Sequence, residues 1–322
     1  MCHQTKTLHP TFFLNLHCEP INEIYANNED SEKMWGARFW FDGTFNVNNK
    51  IKGDFIKNKD YFALFSNTND SFKAKISDEF VHFKDIKIPS GSQGWGTVKN
   101  KFRIFWRERH TQKFMWSDAD LQYVTAGSLM SLTSNNKTEM IYLFAILNSK
   151  ITFFIFSKVA KQEHEKYALY NLTKMKSFIR VPILNSPEKL ELKQKLIQKA
   201  QDLLESENTH LENLVDFDSY DTLLPQKFEW WAVHDGYLLL TLNNRDLTFE
   251  IKNITNENSI YKALEDIYGE PVKIVENGIE LNQLKKTLIF DKKRQNQIKK
   301  EIDQIVFELY EMNEYKTKIE VS

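Results

Sequence analysis

Met140–Ala160, MIYLFAILNSKITFFIFSKVA, is the most apolar stretch of the chain, and Asn148, Ser149 and Lys150 sit at its centre. A lysine in the middle of a membrane span costs about 2.5–3.5 kcal/mol on insertion scales. The apolar runs on either side are each far short of the roughly 20 residues that cross a bilayer. The stretch therefore reads as a buried helix that a polar knot breaks or bends. It also divides the sequence, because the residues before it are patterned as strands and those after it as helices.

Upstream, residues 1 to about 135 carry short apolar runs rich in Phe and Trp: RFWFDGTFNVNN, KDYFALFS, EFVHFKDIKIP and KNKFRIFWRERH. Alternation and β-favouring aromatics between Asn, Asp and Gly indicate a mostly β region with several hairpins. Asp42-Gly43 and Asn67-Thr68-Asn69-Asp70 are the natural turns. From Lys137 the spacing of Ile141, Phe144 and Ala145 is helical, and a short β-like IRVPIL ends in Asn185-Ser186-Pro187-Glu188. That tetrapeptide is a helix start, since a capping oxygen satisfies a free N–H and proline has none to lose. Leucine and isoleucine periodicity predicts long helices over about 187–214 and about 282–312, packed antiparallel. Between them, about 215–280 holds a predicted hairpin (GYLLLTL, Asn243-Asn244-Arg245, DLTFEIK) and a short helix around Ser259–Tyr268. The expected fold class is α+β. A β-rich region over 1–185 precedes a helical region over 186–322, whose two long helices carry a small α/β insertion.

The composition narrows function. The 322 residues are 41% apolar and 27% charged, which is globular. Lys and Arg number 43 against 44 Asp and Glu, so any face that attracts DNA must be local. Ten glycines and seven prolines exclude collagen-like and Pro-rich compositions and leave few phosphate-cradling loops. Two cysteines, Cys2 and Cys18, make no disulfide framework, and the N-terminus lacks the apolar core of a signal peptide. Both point to the cytoplasm.

The best local pattern is Lys99–Lys113, KNKFRIFWRERHTQK. If Lys101–Arg109 is a strand, Lys101, Arg103, Arg107 and Arg109 lie on one face and Phe102, Ile104 and Trp106 on the other. Lys113 comes just beyond. Such a basic ladder could neutralise phosphates or pair with guanine. It could equally be a solvated strand whose arginines pair with neighbouring carboxylates. Directly before it, Gly91-Ser92-Gln93-Gly94-Trp95-Gly96 is GxxGxG, neither a dinucleotide fingerprint nor a P-loop. A mobile loop presenting Trp95 fits it better, and beside a basic strand such a loop would suit insertion into a DNA groove.

Cys2, His3, His9, His17 and Cys18 are zinc-compatible in type, but they lack the close ligand pairs of structural zinc sites, so no metal is expected. Asp235 and Glu250-Ile251-Lys252 follow the D…ExK order of Mg²⁺-dependent nucleases. Asp235-Gly236 also reads as a plain turn, and EIK as ordinary surface-strand alternation. The remaining histidines have no nucleophile motif beside them, so no catalytic residue is assigned.

The run Leu143-Phe144-Ala145-Ile146-Leu147-Asn148-Ser149-Lys150, followed by Lys176-Ser177-Phe178-Ile179-Arg180-Val181-Pro182-Ile183, resembles the "LLNSK … lk.fpIPi" signature of the TaqI-like C-terminal specificity domain. Lys189–Leu204 is similar to that family's "Q..i..lv..ll" helix, and Ile302–Tyr310 to its "iD.lVyeLYgL" ending. The resemblance implies the target-recognition part of adenine-N6 DNA methyltransferases and type IIG restriction-modification enzymes, in restriction-modification or phage defence. No Gly-rich S-adenosylmethionine loop is present, and without adjacent prolines there is no Asn/Asp-Pro-Pro-Tyr/Phe motif. The resemblance thus implies a chain that grips double-stranded DNA while an adenine-N6 methyltransferase partner binds S-adenosylmethionine and flips the base. On that reading the ladder residues are the DNA face, Lys174, Lys176 and Arg180 add phosphate contacts, and Asn148-Ser149-Lys150 is a structural cap or bend.

Overall fold

The computed structural model describes residues 18–20, 39–53, 58–66, 71–88, 96–109, 111, 113–126, 128–159, 170–178, 180–206, 209–211, 214–215, 217, 227–228, 230–242, 245–251, 257–268, 279–289 and 292–320. The chain forms two compact units, residues 1–201 with 299–322, and residues 202–298. Each mixes strands and helices, and the fold is α+β.

In the first unit the strands are β1 (Cys18–Pro20), β2 (Trp40–Asp42), β3 (Asn46–Val47), β4 (Ile51–Lys52), β5 (Tyr61–Ser66), β6 (Lys75–His82), β7 (Ile86–Lys87), β8 (Phe102–Arg107), β9 (Met115–Ser117), β10 (Tyr123–Val124), β11 (Leu129–Ser134) and β12 (Arg180–Pro182). Its helices are α1 (Gly96–Lys99), α2 (Lys137–Leu147), α3 (Lys150–Val159), α4 (Leu172–Phe178) and most of α5 (Pro187–Glu205). Two four-stranded sheets form, in the orders β10-β5-β6-β4 and β2-β11-β8-β9. The first explains the unbroken apolar run YFALFS. Phe62 and Leu64 enter one cluster with Phe45, Val81 and Val124, while Ala63 and Phe65 enter another with Phe105, Met115 and Tyr123. A strand covered on both faces cannot alternate polar with apolar.

α2 lies inside this unit, with every residue from Glu139 to Leu147 buried. A helix that is apolar all round is a core helix or a membrane span. α2 and α3 together have the length and composition of a span but are bent by 59°, and among the described residues no single helix is long and apolar enough to cross a membrane. The bend is built by the polar knot. The Asn148 side chain accepts from Phe114 N at 2.9 Å and donates to Phe114 O at 3.1 Å and Phe144 O at 3.0 Å. Ser149 Oγ donates to Ile146 O at 2.7 Å. The Lys150 amide, opening α3, donates to Asp303 Oδ1 at 2.8 Å. The expected bend is present, and its polar groups are satisfied inside the protein.

α5 opens as read. Ser186 Oγ accepts from Lys189 N at 3.3 Å, with Pro187 in the first helical position. The helix stops at Glu205 rather than near 214, because Leu211, Leu214 and Val215 belong to the core of the second unit. That unit contains β13 (Thr209–His210), β14 (Lys227–Phe228), β15 (Trp230–His234), β16 (Tyr237–Leu242), β17 (Arg245–Glu250), α6 (Glu257–Tyr268), β18 (Ile279–Glu280), α7 (Leu281–Lys285) and β19 (Leu288–Ile289). The expected second long helix is likewise divided. α7 and β19 precede α8 (Lys292–Leu309), and α9 (Lys316–Glu320) comes after it. In the first unit the Lys189–Glu311 pair at 2.8 Å and the Lys199–Glu301 pair at 2.6 Å run in opposite chain directions, so these segments are antiparallel.

Candidate nucleic-acid interface

β8 is flanked by β11 and β9, with α2 packed on it. The burial along it corrects the expected basic ladder. Ile104, Phe105 and Trp106 are fully buried and Arg103 is only 3% exposed, while Arg107 and Arg109 emerge into solvent. The face carrying Arg103 is not open, because Phe105 on that face packs against Phe65 and Tyr123 of the other sheet. Arg103 lies with its Cζ 3.9 Å from the centre of the Tyr123 ring. Its Nη1 donates to Lys101 O at 2.8 Å and Ala119 O at 2.9 Å, and Nη2 to Leu121 O at 3.4 Å. Burial lowers its pKa to about 9, against the pull of Asp120 and Asp118, so it stays charged at neutral pH. Arg103 is thus a core cation that ties β8 to the loop ahead of β10.

The other candidates divide by exposure. Lys101 is exposed, with Nζ 5.8 Å from the Phe102 ring centre, whereas half-buried Lys113 sits 5.8 Å from that of Phe72. Lys174 and Lys176 are half-buried on α4; Lys176 Nζ lies 5.2 Å from the Phe41 ring centre, and burial lowers its pKa although Asp42 works the other way. Arg180 is half-buried in β12, opposite Pro20, and its carbonyl accepts from the Tyr310 hydroxyl. Trp95 lies outside the described residues, as do Cys2, His3, His9 and His17. Among the described residues, Lys101, Arg107 and Arg109 make no ion pair.

Sequence reasoning missed a concave site of about 360 Å³ beside the start of β8. Lys59, Lys99, Lys101 and Arg103 line it with the side-chain amides of Asn58, Asn100, Gln122 and Asn135, and Asp120 is its one carboxylate. Its wall is fixed by an amide relay. Asn100 Nδ2 donates to Thr133 Oγ1 at 2.9 Å, Asn135 Nδ2 to Asn100 Oδ1 at 3.1 Å, and Lys101 N to Asn135 Oδ1 at 2.9 Å. Gly96 at the start of α1 is a glycine from necessity. A Cβ there would stand 2.5 Å from Trp40 Cβ and 2.9 Å from both Asp42 Oδ2 and Thr133 Oγ1. Lys99, at the other end of α1, reaches to 5.1 Å from the Trp40 ring centre. Lys59 gave no sequence signal, since only folding brings it beside Lys99 and Lys101.

In the second unit, Asp235 and Gly236 form the β15–β16 turn at positive φ of 50° and 84°. Asp235 is 82% exposed beside His234 at 3.2 Å. Glu250 is exposed at the end of β17 and Lys252 lies outside the described residues. Nothing in this arrangement supports nuclease chemistry.

The family model of the TaqI-like C-terminal specificity domain matches residues 66–183. The chain carries that specificity domain. The match runs from the end of β5 through β12, so β8, the bent helix pair and α4 all belong to the specificity domain, whereas Lys59 precedes it. Among solved structures, the Type-I restriction-modification system S subunit from M. genitalium is similar at 11% identity over 87% of this chain and 93% of that chain, with a TM-score of 0.26. The HsdS subunit from Thermoanaerobacter tengcongensis is similar at 12% identity over 85% and 92%, with a TM-score of 0.27. Likenesses at those TM-scores carry no part of the assignment. No curated protein matches the chain.

Proposed function

We propose that this chain is a non-catalytic DNA target-recognition subunit of a restriction-modification system. Methyl transfer would be supplied by a separate adenine-N6 methyltransferase module holding S-adenosylmethionine. The observation that carries the reading is the specificity domain over residues 66–183. The sequence supports the division of labour, because it has neither a Gly-rich cofactor loop nor two adjacent prolines. Exposed cations that make no ion pair among the described residues support the DNA face, since a chain of net charge −1 needs a local one. Such a chain works where the DNA is, in the cytoplasm. Lys101, Arg107 and Arg109 are its direct contacts, with Lys174, Lys176 and Arg180 as a half-buried second set; the ammonium nitrogen of Lys113 is buried, which takes that residue off the face.

The test is fluorescence anisotropy of the full chain with a labelled random-sequence duplex, across roughly 50 to 200 mM salt, beside R107A/R109A. Binding should weaken steeply with salt, and the log–log slope of the double variant should be shallower by about two. No binding at the lowest salt would overturn the reading.

A further inference from the structure

The concave site beside β8 has a composition that the specificity domain by itself does not explain. Three exposed lysines come from two stretches: Lys59 ahead of β5, and Lys99 and Lys101 on either side of Asn100 between α1 and β8. Among the described residues none of them makes an ion pair. The ammonium groups of Lys99 and Lys101 lie 5.1 Å and 5.8 Å from the ring centres of Trp40 and Phe102. Beneath them, the fourth cation, Arg103, is bonded to carbonyls of the two facing walls. Four cations outnumber the one lining carboxylate, Asp120, so the net field of the cleft is positive and its low-dielectric walls concentrate it outward.

We propose that this cleft is a phosphodiester seat. On this reading it grips the backbone of one DNA strand through Lys59, Lys99 and Lys101, with the amides of Asn58 and Gln122 placed for phosphate or sugar oxygens. Lysine suits the task because an ammonium is a point charge with rotatable donors that follows a phosphate without reading a base. Lys59 extends the grip beyond the matched specificity domain. The proposal rests on the DNA-recognition reading and adds where the backbone lies: at the start of β8, with Arg107 and Arg109 at its far end.

The test compares K59A/K99A/K101A with a charge-matched control, K150A/K195A/K300A, whose lysines are exposed on helices away from the cleft. Both are measured as full chains by salt-dependent anisotropy with a random-sequence duplex, after circular dichroism confirms the wild-type melting temperature. Each lost phosphate contact reduces the slope by about 0.9, so the cleft variant should be shallower by roughly 2–3 and the control unchanged. A wild-type slope in the cleft variant, or an equal fall in both variants, would overturn the phosphodiester seat while leaving DNA recognition standing. Absence of binding by the wild-type chain itself would overturn both.

Discussion

Asn148 holds the bend between α2 and α3 with three buried hydrogen bonds, two of them to the main chain of Phe114 on the approach to β9. Asn148→Ala would take these partners from the Phe114 N–H and C=O, away from water, while Phe144 O keeps its bond from the residue 148 amide. It should lower stability by about 2–4 kcal/mol in urea unfolding, with no change in DNA affinity for the folded fraction. Arg103→Ala should cost a similar ~2–4 kcal/mol, because carbonyls of Lys101, Ala119 and Leu121 lose their donor. Arg107→Ala should stay within about 0.5 kcal/mol, as expected for an exposed side chain. An Arg103 variant as stable as an Arg107 variant would contradict the burial. The role of Asn148 was legible in the sequence, since a polar residue inside an apolar run must be satisfied or exposed. The burial of Arg103 was not. Alternation tells which residues share a face of β8, but the layer covering that face comes from β5 and β10, tens of residues away.

At the scale of elements, the starts of α2 and α5 were readable, whereas the end of α5 and the start of α8 were not. Ser186-Pro187 marks the start of α5 by local chemistry, and Asn136 opens α2 by accepting from Glu139 N at 3.2 Å. Leu211 and Leu214 continue the helical spacing of α5 yet serve another core, a choice that only the second unit's packing makes. The tail segment Ile302–Tyr310 lies outside the matched residues 66–183, but the structure gives one of its residues a role. Asp303 on α8 accepts from the first amide of α3, so α8 caps the bent pair. Asp303→Ala should lower stability by about 1–2 kcal/mol, with Asp303→Asn recovering part of the loss; equal unfolding midpoints for wild type and Ala would contradict the cap. Gly96→Ala forces a Cβ against Trp40, Asp42 and Thr133 and should cost about 1–3 kcal/mol through overpacking. A neutral Gly96→Ala in the same assay would show that α1 can move off β2.

At the scale of the whole molecule, the near balance of 43 basic and 44 acidic residues makes the DNA face a matter of placement. Folding leaves Lys59, Lys99, Lys101, Arg107 and Arg109 exposed and buries Arg103 beneath them. The first unit also has a built-in alkaline limit. Burial pushes the Cys18 thiol and the Tyr170 hydroxyl each up to about 12, and raises Tyr142 and Tyr310 well above the usual phenol range. For these groups the folded chain binds more protons than the unfolded chain above about pH 9, so stability falls as pH rises through that window. Arg103, lowered by burial, acts in the opposite sense. Melting temperatures between roughly pH 8 and 10.5 should therefore fall, and Cys18→Ala should flatten the profile; parallel profiles would contradict a buried thiol. Target recognition itself is tested most directly by selecting duplexes from a randomised pool with the full chain and sequencing those retained. One enriched sequence motif is the expected result. Retention of duplexes with no enriched motif would make the chain a sequence-blind DNA binder and contradict target recognition.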